Sequence, residues 1–113
     1  MCMHISKEDL LRINHCFGGN LRSDSGLDFA FSKLKDKKLG MYKKLAYLLR
    51  AILVDHHFSD GNKKTASFVI FVFAEKNNKK VDKDLLLHQV ISIAKQNIQN
   101  IRNIEWRIKT FIK

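Results

Sequence analysis

Apolar residues recur along this chain at helical spacing, separated by short polar stretches, and there is no proline anywhere. Ser6 followed by Asp9 has the form of a capping box, with the acid in place of the usual Glu. Leu10, Leu11, Ile13 and Phe17 then make one apolar face, which predicts a helix over about 7–16, stopped by Gly18-Gly19-Asn20. Ser23 or Asp24 can cap a second, short helix whose apolar side carries Leu27, Ala30, Phe31 and Leu34. Residues 35–40 read as a charged loop ending at Gly40. Leu45, Leu48, Leu49, Ile52 and Leu53 fall at i, i+3, i+4, i+7 and i+8, the stripe of an amphipathic helix expected to end near His56.

The unbroken apolar run from Phe68 to Phe73 fits a buried strand by composition alone. The stretch around it, from Lys64-Thr65-Ala66 to Ala74-Glu75-Lys76, is long for a strand, and favours a helix buried on all sides. Asn77-Asn78-Lys79-Lys80 reads as a turn. Asp82 or Asp84 starts another helix, with Leu85, Leu86, Val90, Ile93 and Ala94 inward. A last helix carries Ile104, Ile108, Phe111 and Ile112, with Trp106 off that stripe and packing at its edge. The expected fold is all-α, a bundle of about six helices in a single domain spanning residues 1–113.

Composition narrows the setting. No apolar run reaches the ~18–20 residues that cross a bilayer, so no membrane span is expected. The N-terminus lacks a basic region followed by an apolar one, which predicts no signal peptide. Two cysteines, Cys2 and Cys16, suit free thiols in a reduced, cytoplasmic protein. The formal charge of +10 attracts acidic partners such as nucleic acid, a nucleotide or an acidic protein. Sixteen of the 21 basic residues are lysines scattered along the chain, however, and such charge is usually just solvated. Nucleic acid is therefore a possible partner but not the favoured one.

The densest chemistry lies in HHFSDGNKKTA, residues 56–66. A helix starting near Asn62 or Lys63 presents unpaired N–H groups and the positive end of its dipole. Gly61 permits a tight turn and close approach of a ligand, and Lys63 and Lys64 add positive charge, which suits a phosphate. Asp60 could hold a divalent metal such as Mg2+. His56, at the end of the preceding helix, titrates near neutrality and suits a general base. Each part has a plainer reading: a histidine that complements a helix C-terminus, and an Asp-Gly-Asn that is only a turn. Their joint spacing is the parts list for transfer of a phosphate-containing group. A zinc site from Cys2, His4, His15 and Cys16 is disfavoured, because C-x-H and adjacent H-C lack the usual gaps. His15 and Cys16 read more simply as the end of the first helix, and His88 as a surface or packing residue.

This stretch resembles the signature HxFx[DE]GNx[KR] of the Fic/Doc family, and HHFSDGNKKTA is similar to its Doc (death-on-curing) branch, HxFxDxNKRTA. The GGN turn, RSDSGLDFAFSK and KKLAYLLRAILVDH are similar to flanking segments of Doc-like chains, so the resemblance covers nearly the whole sequence. It implies a compact all-α bundle in which two central helices bracket the motif loop. It implies transfer of part of a nucleoside triphosphate, here ATP with Mg2+, to a protein hydroxyl. In the Doc branch the γ-phosphate goes to a threonine of a translation elongation factor; most Fic proteins transfer AMP instead. Carried over, His56 is the base, Asp60 binds Mg2+, Gly61, Asn62, Lys63 and Lys64 line the phosphate site, Phe58 pins the loop, and His57 is a bystander.

Two departures matter. Lys64 stands where the family usually has Arg, which keeps the charge but loses the planar two-pronged grip on phosphate. Ser67 stands where AMP-transferring members carry a second arginine, which favours phosphate transfer. No self-inhibiting [ST]xxxE[GN] helix is present; Doc-type toxins are held off by a separate antitoxin, and a basic toxin suits an acidic, disordered antitoxin tail. The alternatives are an AMP-transferring Fic enzyme and a catalytically degenerate basic binding domain, the latter suggested by Lys64 and by the short 35–42 segment where a target-binding flap is expected.

Overall fold

The computed structural model describes residues 5–22, 25–55 and 61–113. Six helices follow one another: α1 (Lys7–Cys16), α2 (Ser25–Leu34), α3 (Met41–Leu53), α4 (Asn62–Lys76), α5 (Lys83–Lys95) and α6 (Ile101–Phe111). The described residues contain no strand; an isolated antiparallel bridge joins Val81 to Ile112. The fold is thus the expected all-α bundle. Its Cα radius of gyration, 12.6 Å, is that of one tightly packed body at this length. Among the described residues no helix is long and apolar enough to cross a membrane.

The capping box of α1 forms as predicted. Asp9 N–H donates to Ser6 Oγ at 3.1 Å, and Ser6 N–H donates to Asp9 Oδ2 at 3.2 Å. The Ser6 amide, with the Arg12 guanidinium next in effect, holds the Asp9 carboxyl below its ordinary value of 3.8. At the other end Gly18 adopts φ +84°, and the Gly19 N–H returns to the Asn14 carbonyl at 3.0 Å, which stops the helix. The buried face differs from the predicted stripe. It carries Leu10 and, one turn on, Asn14, whereas Ile13 and Phe17 are only partly covered.

Helix α3 is the centre of the bundle, packed against α2, α4, α5 and α6. Its stripe explains this placement: Leu45, Leu48, Leu49, Ile52 and Leu53 are all buried, and Ala46 and Ala51 let neighbours approach closely. The helix stops at Leu53, short of the expected end near His56, with the Val54 and Asp55 amides both returning to the Arg50 carbonyl.

Helix α4 corrects one expectation. It is helical, but it is not buried all round. Thr65, Ala66, Val69, Ile70, Phe73 and Ala74 face inward, while Phe68 and Phe71 remain 44% and 40% exposed. The reason is its position, with α1, α3 and α5 against it and one side left open. Its sequence therefore overstates its burial.

Asp82 caps α5 by accepting from the Asp84 and Leu85 amides, and Asn100 caps α6 by accepting from the Asn103 amide. Leu86, Val90 and Ile93 point inward as expected, and Ala94 is partly covered; Leu85 instead lies at the surface. Arg107 ties the two helices together, donating to Gln89 Oε1 at 2.7 Å and Ser92 Oγ at 3.1 Å. Ile104, Ile108, Phe111 and Ile112 are buried, whereas Trp106, off that stripe, is 64% exposed.

Candidate phosphate-binding site at the start of α4

The site begins with a backbone constraint. Gly61, the N-cap of α4, has φ +71°, a conformation that side chains with a Cβ rarely adopt. A Cβ placed there would fall 2.6 Å from the Phe17 carbonyl oxygen and 3.0 Å from the Phe17 Cβ. Glycine is therefore required both for the turn and for the close approach of α1.

From Gly61 the chain enters α4 directly. The Gly61 carbonyl accepts from the Thr65 N–H at 2.9 Å, so the first regular helical bond is in place. No side chain of the N-cap covers the amides ahead of it, and the first turn holds no acid. Helix geometry leaves the opening N–H groups without intrahelical acceptors. Lys63 and Lys64 are both exposed on this turn. Two ammonium groups at the positive end of a helix dipole oppose it by roughly 0.3–1 kcal/mol each when no anion is present. An anion at this point would relieve both.

Gly61, Asn62, Lys63 and Lys64, four of the residues expected from the sequence, thus stand together at one helix start. His56, Phe58 and Asp60, together with the bystander His57, lie outside the described residues. Of the residues considered for zinc, His15 and Cys16 end α1 at the surface as expected, and the thiol of Cys16 is free. Cys2 and His4 are outside the described residues. His88 is exposed.

Two cavities flank the turn. One of about 370 Å3 is lined by Leu53, Asn62, Lys63, Ile91, Ala94 and Lys95. The Oδ1 of Asn62 is buried and accepts no hydrogen bond. The second, about 380 Å3, runs between α4 and α5 over Phe68, Phe71, Leu87 and Ile91, with Lys63 and Lys64 at its side. Lys63 and Ile91 border both. Each is of the size that takes a small ligand. A phosphate fits the residues described here: amides without intrahelical acceptors, two exposed cations and no acid in the first turn of α4.

Sequence reasoning missed three contributors. Lys95, at the far end of α5, lines the first cavity, and nothing local marks it. Phe17 supplies the wall behind Gly61 and stacks edge-on against Phe68 with centroids 6.2 Å apart. Asn14 reaches from α1 into the base of α4, where its Nδ2 donates to Thr65 Oγ1 at 3.1 Å. A polar residue one turn after Leu10, on the buried face of α1, was the signal that could have found it. No protein-family model, no curated protein and no solved structure matches the chain.

Proposed function

We propose that this protein is a Doc-like transferase that moves the γ-phosphate of ATP onto a hydroxyl, by the family resemblance a threonine, of a target protein such as a translation elongation factor. The observation that carries the reading is the helix start at Gly61–Lys64. A left-handed glycine leads into a first turn that carries two lysines and no acid, and helix geometry leaves its opening amides without intrahelical acceptors. The resemblance of residues 56–66 to the Fic/Doc signature supplies the rest of the assignment.

In this reading the α4 turn holds the phosphate oxygens, and Lys63 and Lys64 offset the charge that develops during transfer. His56 takes the proton of the target hydroxyl. The hydroxyl oxygen bonds to the γ-phosphorus, the bond from that phosphorus to the β,γ-bridging oxygen breaks, and ADP departs. Asp60 is the carboxylate for Mg2+, which neutralises phosphate charge when bound. Serine at position 67, in place of a second arginine, supports γ-phosphate transfer over AMP transfer. A net charge of +10 suits restraint by an antitoxin with an acidic tail.

The test is label transfer in host lysate with Mg2+ and ATP labelled at the α or γ phosphate, using the protein and its His56→Ala variant. Gamma label on one band, absent with the variant, is the expected result. Alpha label instead identifies an AMP transferase. No His56-dependent label from either leaves a binding domain without catalysis.

A further inference from the structure

We infer that Asn14 and Thr65 are positioning residues, a buried polar latch that sets the height and roll of the first turn of α4. The inference rests on the phosphate-site reading above, but its geometry stands without it. Asn14 is 1% exposed and Thr65 0%, the two polar residues within the described core. Their side chains meet across the α1–α4 contact at 3.1 Å. The pair spans 51 residues of sequence, so no local folding preference accounts for it.

Asn14 also acts through its backbone. Its carbonyl accepts from both Phe17 N–H and Gly19 N–H at 3.0 Å, which ties down the turn that follows α1. That turn carries the Phe17 carbonyl against which Gly61 rests. One residue therefore fixes both sides of the junction: its carbonyl holds the wall, and its amide holds the helix behind the wall. Thr65 directly follows Asn62, Lys63 and Lys64, whose amides have no intrahelical acceptor, and its own N–H makes the bond to Gly61.

An apolar pair of similar volume would fill this space and avoid burying polar groups. It would not select a register, because hydrophobic contact is non-directional. A hydrogen bond is directional and strengthens where water is excluded. The latch therefore serves placement more than cohesion. Placement matters at a phosphate site, where amides must aim at oxygens within tenths of an ångström.

The experiment compares Thr65→Val, Asn14→Leu and the double variant Asn14→Leu/Thr65→Val. Each single variant breaks the Asn14–Thr65 hydrogen bond and keeps one of its two polar groups buried, and its melting temperature falls. The double variant removes both groups and recovers most of that loss. The amides of residues 65–68 nevertheless exchange at least about tenfold faster in the double variant than in the wild type. Mg2+–ATP affinity, read by calorimetric titration, falls about tenfold or more. A double variant with wild-type exchange at 65–68 overturns the inference, whether or not the wild type binds ATP. Faster exchange in a protein whose wild type binds no ATP keeps the latch and removes the nucleotide reading. Faster exchange with undiminished ATP affinity overturns its role in positioning the site.

Discussion

The α-carbon of Gly61 rests against the carbonyl of Phe17, so closely that a Cβ would fall 2.6 Å from that oxygen. Both partners in the clash are backbone or near-backbone, so neither can swing away. Gly61→Ala must therefore push α4 off α1 or abandon φ +71°. The expected cost is about 2 kcal/mol or more, from the strained conformation plus the clash. Chemical denaturation of the two proteins measures it. A variant as stable as wild type would mean that α1 and α4 are not fixed to each other here. Gly18, also at positive φ, has open space around its Cβ position. Gly18→Ala is expected to lose only the conformational part, about 1 kcal/mol.

The lysines at the start of α4 set stability against binding. The turn has no acid to complement the dipole, so Lys63→Glu should stabilise the fold by about 1 kcal/mol, a rise in melting temperature of roughly 4 °C. The same change should weaken Mg2+–ATP by about tenfold or more, since one charge-assisted contact is lost and a repulsive charge gained. Lys64→Arg should do the reverse, raising affinity severalfold by restoring a two-pronged grip, with stability little changed. Thermal melts and nucleotide titrations on the three proteins decide this. If Lys63→Glu lowers both stability and affinity, the lysines are held by protein groups rather than waiting for an anion.

The helices were legible in the sequence because each level agreed: caps at Ser6 and Asp82, glycines after α1, and a clean stripe in α3. Where reading failed, tertiary placement decided. Phe68 and Phe71 have every mark of core residues, yet α4 has neighbours on only part of its circumference. Leu85 falls within an apolar triplet, and only the roll of α5 selects Leu86 for the interior. The turn at Gly61–Lys64 could itself be read because a helix start, a glycine and charge are all local properties. Its supports at Asn14, Phe17 and Lys95 come from distant segments, and no periodicity within one helix announces them.

Acid should loosen the α1 cap. The Ser6 amide, with Arg12 beside it, holds the Asp9 carboxyl below its ordinary 3.8 in the folded chain. A group whose folded pKa is depressed stabilises above its unfolded value, and the contribution disappears as pH falls through the folded value. The carboxylate half of the capping box thus contributes fully above the ordinary value of 3.8 and fades as pH falls through the lower folded one, while the bond from Asp9 N–H to Ser6 Oγ does not titrate. Asp9→Asn should be less stable than wild type at pH 6, with the gap closing as the pH is lowered. Melting temperatures of both proteins from pH 6 to pH 2 follow the gap. A difference that persists unchanged to pH 2 would show that the charge of Asp9 plays no part.

Helix α5 offers the sharpest contrast between adjacent apolar positions. Leu87 is 54% exposed and Ile91 47%, while Val90 between them is 1% exposed. Leu87 and Ile91 line the groove that Phe68 and Phe71 border from α4. These side chains gain little by folding, because water still reaches them, so their removal should cost little. Leu87→Lys is expected to change stability by no more than about 0.5 kcal/mol. Val90→Lys buries a charge with no partner and should prevent folding at ordinary temperature. The groove gathers apolar surface that a dye such as anilinonaphthalene sulfonate can cover, and Leu87→Lys should roughly halve dye fluorescence while the fold persists. Circular dichroism and dye titration on the same samples separate the two effects. Should Leu87→Lys unfold the protein as Val90→Lys does, the groove would be a closed part of the core, and the open side assigned to α4 would be wrong.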